Sequence, residues 1–276
     1  MIADAADSAR LSQLPLAEFI FGSTSGMHEV RKILEGALED DLPVLIEGES
    51  GTGKEVVARY LHVQSERAGG PFVRVNCGAI SSRLLDGEMF GQDSAASGSV
   101  VLAANGTLFL DEIAEMDSAL QHKVAHALKT GQVRNGSSVN ARIVCATSVD
   151  LTGAVSGASP GLSSHFEHRV RLLPLRERKQ DIPQLCEYLV EKFARNFGRT
   201  APRLKPQVLD AFQQWNWPGN IRELENWIAR IVIFGTEETM GNEFRRQTAG
   251  REGVAMARHH ALRLNAGRMR RTRRQV

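Results

Sequence analysis

The sequence predicts an α/β domain with a mostly parallel sheet, followed by a small all-helical domain. Three observations carry that reading. Short apolar runs rich in branched residues alternate with amphipathic helical stretches over roughly the first 170 residues. A glycine-rich turn separates the first of these runs from the helix after it. Beyond Pro174 every pattern is helical.

The elements follow in order. Residues 26–39 place Met27, Val30, Ile33, Leu34, Ala37 and Leu38 on one helical face. After Pro43 the run Val44-Leu45-Ile46 is short and branched, as a buried strand of a parallel sheet requires. The glycine-rich turn comes next, then a helix over about 54–64. Three more strands are expected at 72–75, 107–110 and 142–147, with an amphipathic helix at 118–129. Helices are expected at 180–197, 206–215 and 220–234. Trp215 and Trp217, before Pro218-Gly219, read as helical-domain core, each with one N–H to satisfy. The expected division is an N-terminal arm at 1–18, the α/β domain at 19–179, the helical domain at 180–243 and a basic, disordered tail at 244–276.

Composition narrows the class. The chain has 276 residues, 42% hydrophobic and 24% charged, enough to bury a core without staples. No apolar run is long enough for a transmembrane helix, and the first ten residues carry acids where a secretory signal is basic. Cys77, Cys145 and Cys186 lie far apart without CxxC spacing, which argues against a zinc module or a disulfide framework and suits a reducing cytoplasm. The net charge of +2 hides an asymmetry. Residues 245–276 hold ten arginines against Glu252, a net of +9, which leaves −7 on residues 1–244. The tail has two readings: salt-dependent contact with nucleic-acid phosphate, or an unstructured extension.

Two motifs carry chemistry. Gly48-Glu49-Ser50-Gly51-Thr52-Gly53-Lys54 satisfies GxxxxGK between an expected strand and an expected helix, the context of a phosphate-binding P-loop. Its glycines let backbone N–H groups turn inward around phosphate oxygens, the helix N-terminus adds favourable dipole charge, and Lys54 reaches the β- and γ-phosphates. The usual Ser/Thr after the lysine is Glu55, which offers Mg2+ no hydroxyl. Leu108-Phe109-Leu110-Asp111-Glu112 is an apolar strand ending in two acids, a Walker B pattern. Asp111 would hold Mg2+, directly or through water, and Glu112 would polarise the attacking water. His122 and His126 stand at i, i+4, but the pattern places no third ligand, so they read as a solvated helix face.

GESGTGKE, VNCGAI, GTLFLDEI, LPLRERKQDIPQL and WPGNIRELENW together resemble the AAA+ ATPase domain of bacterial sigma-54-dependent transcriptional activators, over roughly residues 19–235. In that family Glu55 is ordinary. The resemblance implies that Asn76 restrains Glu112 and that Thr147 with Ser148 forms the sensor I pair. It implies that Arg169 reaches a neighbouring subunit's nucleotide and that Arg222 is the sensor II arginine. Alone, Arg169 reads as a solvated arginine and Arg222 as part of a helix-surface salt bridge. The second finger arginine of the family falls at Ser163, and the usual sensor I asparagine at Ser148. Implied ligands are ATP and Mg2+. Implied partners are a hexameric or heptameric self ring or a related intact activator, sigma-54 RNA polymerase holoenzyme, and DNA through the tail.

The chain departs from the family where the partner is gripped. The GAFTGA loop should lie within 92–105, which reads QDSAASGSVVLAAN and is expected to be about eight residues short. The loop between Gly131 and Arg142 is expected to be about five short. Residues 244–276 do not show the two spaced apolar helices of a helix-turn-helix, and no receiver domain is expected before residue 19. Three functions remain open: an ATP-hydrolysing transcription regulator, a degenerate nucleotide-binding subunit that modulates an intact relative, and an unrelated P-loop kinase or NTPase.

Overall fold

Alternation along the strands decides the layering. Successive strand residues point to opposite faces, so a strand buried on both sides is apolar throughout. β1 (Val44–Glu47) sends Val44 and Ile46 one way and Leu45 the other, and all three are buried. β3 (Thr107–Asp111) and β4 (Arg142–Thr147) do the same, whereas β2 (Phe72–Asn76) buries Phe72 on one face and Val75 on the other and leaves Arg74 and Asn76 exposed. On one face Val44, Ile46, Phe72, Phe109, Val144 and Ala146 meet α1 (Ala17–Phe21), α2 (Ser25–Gly36) and α3 (Lys54–Gln64). On the other, Leu45, Val75, Leu108, Leu110, Ile143 and Cys145 meet α4 (Ser82–Phe90), α5 (Ser99–Leu102) and α6 (Ser118–Thr130). The result is a parallel sheet between two helical layers, the α/β architecture expected.

The computed structural model describes residues 14–91, 98–130, 132, 140–149, 151 and 162–235. The expectations for residues 1–13, for most of the two loops at 92–105 and 132–141 and for the basic tail lie outside the described residues, as does the side chain of Ser163. Described residues up to Leu185, with Trp217–Leu224, form one compact unit. Cys186–Asn216 and the described residues from Glu225 form a second.

The strand order is β2-β3-β4-β1-β5, and every pair is parallel. β5 (His168–Arg171) was not legible in the sequence. It pairs with β1 alone at the sheet edge, and in His-Arg-Val-Arg just Val170 is fully buried. An edge strand of four residues with one buried side chain leaves almost no apolar signal.

The second unit is all helical. It takes most of α7 (Ile182–Phe197), all of α8 (Pro206–Gln214) and most of α9 (Asn220–Phe234). Pro206 opens α8, where its fixed φ suits a first turn and its missing N–H is not needed. Leu189, Val190, Phe212, Trp215, Ile228 and Ile231 are buried, and Lys192 pairs with Glu225 at 3.0 Å. Trp217 is also fully buried but belongs to the sheet unit. The three cysteines are buried free thiols, and His122 and His126 lie exposed on α6. No helix of the described residues is long and apolar enough to cross a membrane.

One buried ion pair ties the chain's early segment to the segment after the sheet. Asp181 accepts hydrogen bonds from the Ser23 N–H (2.8 Å), the Ser23 hydroxyl (2.9 Å) and the Thr24 hydroxyl (2.9 Å). It also accepts from Arg178 Nε at 3.0 Å, and both partners of that pair are 1% exposed. Burial works to raise the Asp181 pKa, but the Ser23 N–H, Arg178 and the two hydroxyls outweigh it and hold the carboxyl below its ordinary value. Asp181→Ala leaves the Arg178 guanidinium buried and uncompensated. Urea denaturation should show a loss of about 3–5 kcal/mol, and an unchanged midpoint would contradict this account.

Candidate functional site

The strand order brings the chemistry together. β1 lies beside β4, and β4 beside β3, all running the same way. Their C-terminal ends therefore present Gly48–Lys54, Thr147-Ser148 and Asp111-Glu112 along one edge. In open α/β sheets this is where ligands bind.

The loop between β1 and α3 is wound around its own backbone. Gly51 has φ +80°, and a Cβ there would sit 2.4 Å from the Gly219 carbonyl oxygen, so no side chain fits. Gly53 caps α3 at φ +98°, in the left-handed region that glycine enters without strain. The Gly48 N–H donates to the Thr147 carbonyl at 3.1 Å and pins the loop to the end of β4. The Thr52 hydroxyl donates to the Glu49 carbonyl at 2.8 Å.

Lys54 is 7% exposed, so its ammonium must be paired. Nζ donates to the Gly48 carbonyl at 2.8 Å and lies 3.1 Å from Glu112 Oε1. Glu112 sits in left-handed backbone, φ +58°, just past β3. Its other oxygen, Oε2, accepts the Ser148 N–H at 2.7 Å and the Ser148 hydroxyl at 2.9 Å. Burial pushes the Glu112 pKa up, but the Ser148 N–H and Lys54 outweigh it, so the carboxyl lies below its ordinary value. Asp111 accepts from Arg74 Nη2 at 2.6 Å. Cys77, whose N–H donates to the Asp111 carbonyl, has its thiol pushed up to about 12 by burial and by the charges of Asp111 and Glu112.

A second group of residues clamps the loop from the segment 217–222. The Gly51 carbonyl accepts the N–H groups of Ile221 (2.9 Å) and Arg222 (3.3 Å). Arg222 Nη1 donates to the Ser50 hydroxyl at 2.9 Å. Asn220, fully buried with φ +52°, donates to the Ser50 carbonyl (3.0 Å) and to Glu49 (3.2 Å) and accepts the Leu175 N–H (2.8 Å). Glu49 also takes a bidentate fork from Arg176 at 2.7 and 2.8 Å. Arg176, with Asn220, holds the Glu49 carboxyl down to about 2.

A family model described as the sigma-54 interaction domain matches residues 20–172, and one for the AAA+ ATPase lid domain matches residues 176–252. The chain belongs to the sigma-54 interaction domain family. Among its relatives, the Nif-specific regulatory protein of Herbaspirillum seropedicae is 39% identical over 231 residues, covering 77% of this chain and 42% of its own length. The transcriptional regulatory protein ZraR of Klebsiella oxytoca is 36% identical over 259 residues, 86% of this chain and 58% of its own. The structure of NtrX from Brucella abortus in complex with ATP superposes with a TM-score of 0.75 at 30% identity, covering 84% of this chain and 53% of that one. The chain thus spans about half the length of the relatives it matches.

Most of the site residues read from the sequence fall into three groups. Gly48 to Lys54, Asp111, Glu112 and Arg222 gather around the loop. Asn76 and Thr147 lie at the same strand ends but face their own turns. Asn76 Oδ1 accepts the Gly78 N–H at 3.1 Å, and the Thr147 hydroxyl meets the backbone of Val149. Among the described residues, Glu112 is held by Ser148 and Lys54. Arg169 lies apart, in edge strand β5, with Nη2 at 3.3 Å from both oxygens of Glu47 in its own chain. So engaged, it can reach a neighbouring subunit only if that pair opens. Arg74, Arg176 and Asn220 were not singled out from the sequence. Asn220 and Arg176 stood inside quoted motifs and Arg74 did not, and nothing in spacing marks any of the three as a partner of residues far along the chain.

The Glu49 clamp has a pH signature. Its folded pKa lies below the ordinary 4.5, so its stabilisation is complete above about 4.5 and fades as pH falls toward about 2. The Arg176–Glu49 pair is well exposed, so the effect is small. At neutral pH, Glu49→Gln should lower the melting temperature by about 1–4 °C. The gap to wild type should narrow below about pH 4.5 and close near pH 2. A gap constant with pH would argue against the clamp.

Proposed function

We propose that this chain is an ATP-hydrolysing transcription regulator of the sigma-54 activator type, working in the cytoplasm as a ring of identical subunits or with a related activator. The observation that carries the reading is the pairing of Lys54 with Glu112 at the mouth of the Gly48–Lys54 loop, with Asp111 next to Glu112 at the end of β3. The nucleotide fits this chain's residues. A loop without Cβ atoms at its tight points leaves N–H groups for phosphate oxygens, and a buried ammonium lies at its base. Magnesium fits too: nucleotide sites hold it with one or two carboxylates plus substrate phosphates, and Asp111 supplies such a carboxylate without needing a hydroxyl at Glu55.

Each residue then has a task. The backbone from Gly48 to Gly53, with the start of α3, binds phosphate, and Glu49 and Ser50 hold that loop to Asn220, Arg176 and Arg222. Lys54 offsets charge on the terminal phosphates. Bound at Asp111, Mg2+ would neutralise phosphate charge. Glu112 orients the attacking water and accepts its proton. Ser148 holds Glu112, the role the family resemblance assigned to Asn76. Arg222 senses the phosphates from the segment after Trp217. Thr147 fixes the turn that presents Ser148. Arg169 acts across subunits once it leaves Glu47. Contact with sigma-54 holoenzyme by the usual loop is not expected, because residues 92–105 contain no GAFTGA. Contact with DNA falls to the arginine-rich tail.

A second reading is a nucleotide-binding subunit that modulates an intact activator without productive turnover. The engagement of Arg169 with Glu47 favours it. Turnover measured against protein concentration separates the two. The first reading expects superlinear ATP hydrolysis. Lys54→Ala should abolish nucleotide binding, and Glu112→Ala should keep binding but lose about 100-fold or more in turnover. Tight binding with no turnover at any concentration would establish the second reading instead.

A further inference from the structure

Four alternating charges run in a line from the middle of α3 to the metal-side carboxylate. Arg59 donates to Glu55 Oε1 through Nε (3.0 Å) and Nη2 (2.9 Å). Glu55 Oε2 pairs with Arg74 Nη1 at 3.1 Å. Arg74 Nη2 donates to Asp111 Oδ2 at 2.6 Å, a short charge-assisted bond. The sheet dictates this arrangement. Arg74 faces Phe109 across β2 and β3, so Asp111, two residues on, lies on the same face diagonally opposite. Helix α3 covers that face and presents Glu55 and Arg59 one turn apart. The far end is fixed, since Arg59 is 4% exposed and its guanidinium carbon lies 4.5 Å from the centre of the Phe72 ring.

We propose that Arg74 is the resident counter-ion of Asp111, and that the Glu55–Arg74 pair sets how strongly this carboxylate takes a divalent cation. The proposal rests on the nucleotide and magnesium reading above and deepens it. Arg74 is a positioning residue: it holds one oxygen of Asp111 and leaves the other to the metal. Glu55 stands where P-loop proteins place a magnesium-binding hydroxyl, and here its carboxylate anchors Arg74 instead. Divided between two carboxylates, the Arg74 charge offsets Asp111 in part. Neutralising Glu55 gives that charge wholly to Asp111 and weakens metal binding. Neutralising Arg74 releases Asp111 and strengthens it. The two substitutions therefore act in opposite directions, which simple loosening of the site does not produce.

The test is Mn2+ binding to the full chain in the presence of ADP, followed by electron paramagnetic resonance, which needs no turnover. Arg74→Gln should bind Mn2+ about five- to twenty-fold more tightly than wild type. Glu55→Gln should bind about three-fold more weakly, and Arg74→Lys, which keeps the charge, should stay near wild type. An unchanged or weaker affinity in Arg74→Gln, or a shift of Glu55→Gln in the same direction as Arg74→Gln, overturns the proposal. Should Arg74→Gln not fold, Glu55→Gln decides, and wild-type affinity there overturns it. If wild type takes up no ADP at all, the nucleotide reading falls and this proposal with it. If ADP binds but Mn2+ does not, this proposal alone falls.

Discussion

The site depends on one buried ammonium. At 7% exposure the Lys54 ammonium needs hydrogen-bonding and charge partners, and those it finds belong to different parts of the fold: the Gly48 carbonyl at the end of β1 and Glu112 at the end of β3. Glu112 is in turn held by Ser148 at the end of β4. A single charge thus draws three strand ends to one point. The parallel sheet makes this feasible, because it turns the C-termini of β1, β3 and β4 toward the same edge.

Around that ammonium, charge is arranged so that few groups stand alone. On the α3 side, Arg59, Glu55, Arg74 and Asp111 form an alternating string. On the side of residues 217–222, Glu49 gathers Arg176 and Asn220, while the Gly51 carbonyl gathers two N–H groups. The phosphate loop is therefore held by partners other than phosphate. Its glycines serve the same end, since Gly51 lets the Gly219 carbonyl approach to where a Cβ would stand.

Much of the fold was legible from patterning. Strands β1 to β4 and the long helices lie where apolar periodicity puts them, because burial on one or both faces writes a period of 2 or 3.6 into the chain. β5 was not, because an edge strand with one buried residue carries no such period. The loop and the paired acids were legible because their chemistry needs particular residues at short spacing. The pairing of Glu112 with Ser148 was not. Ser148 sits 36 residues away, and a serine after a threonine has no distinctive spacing.

Residue types alone determined that the chain carries a phosphate loop, a paired-acid strand end and two kinds of domain, because local turns and side-chain periods are properties of short segments. Tertiary structure decided which charge meets which. Arg74 belongs to Asp111 because β2 and β3 align in register, Ser148 to Glu112 because β4 ends beside β3, and Arg169 to Glu47 because β5 pairs with β1. Pairing between charged groups falls off with distance in space, not along the chain, and only the sheet sets those distances.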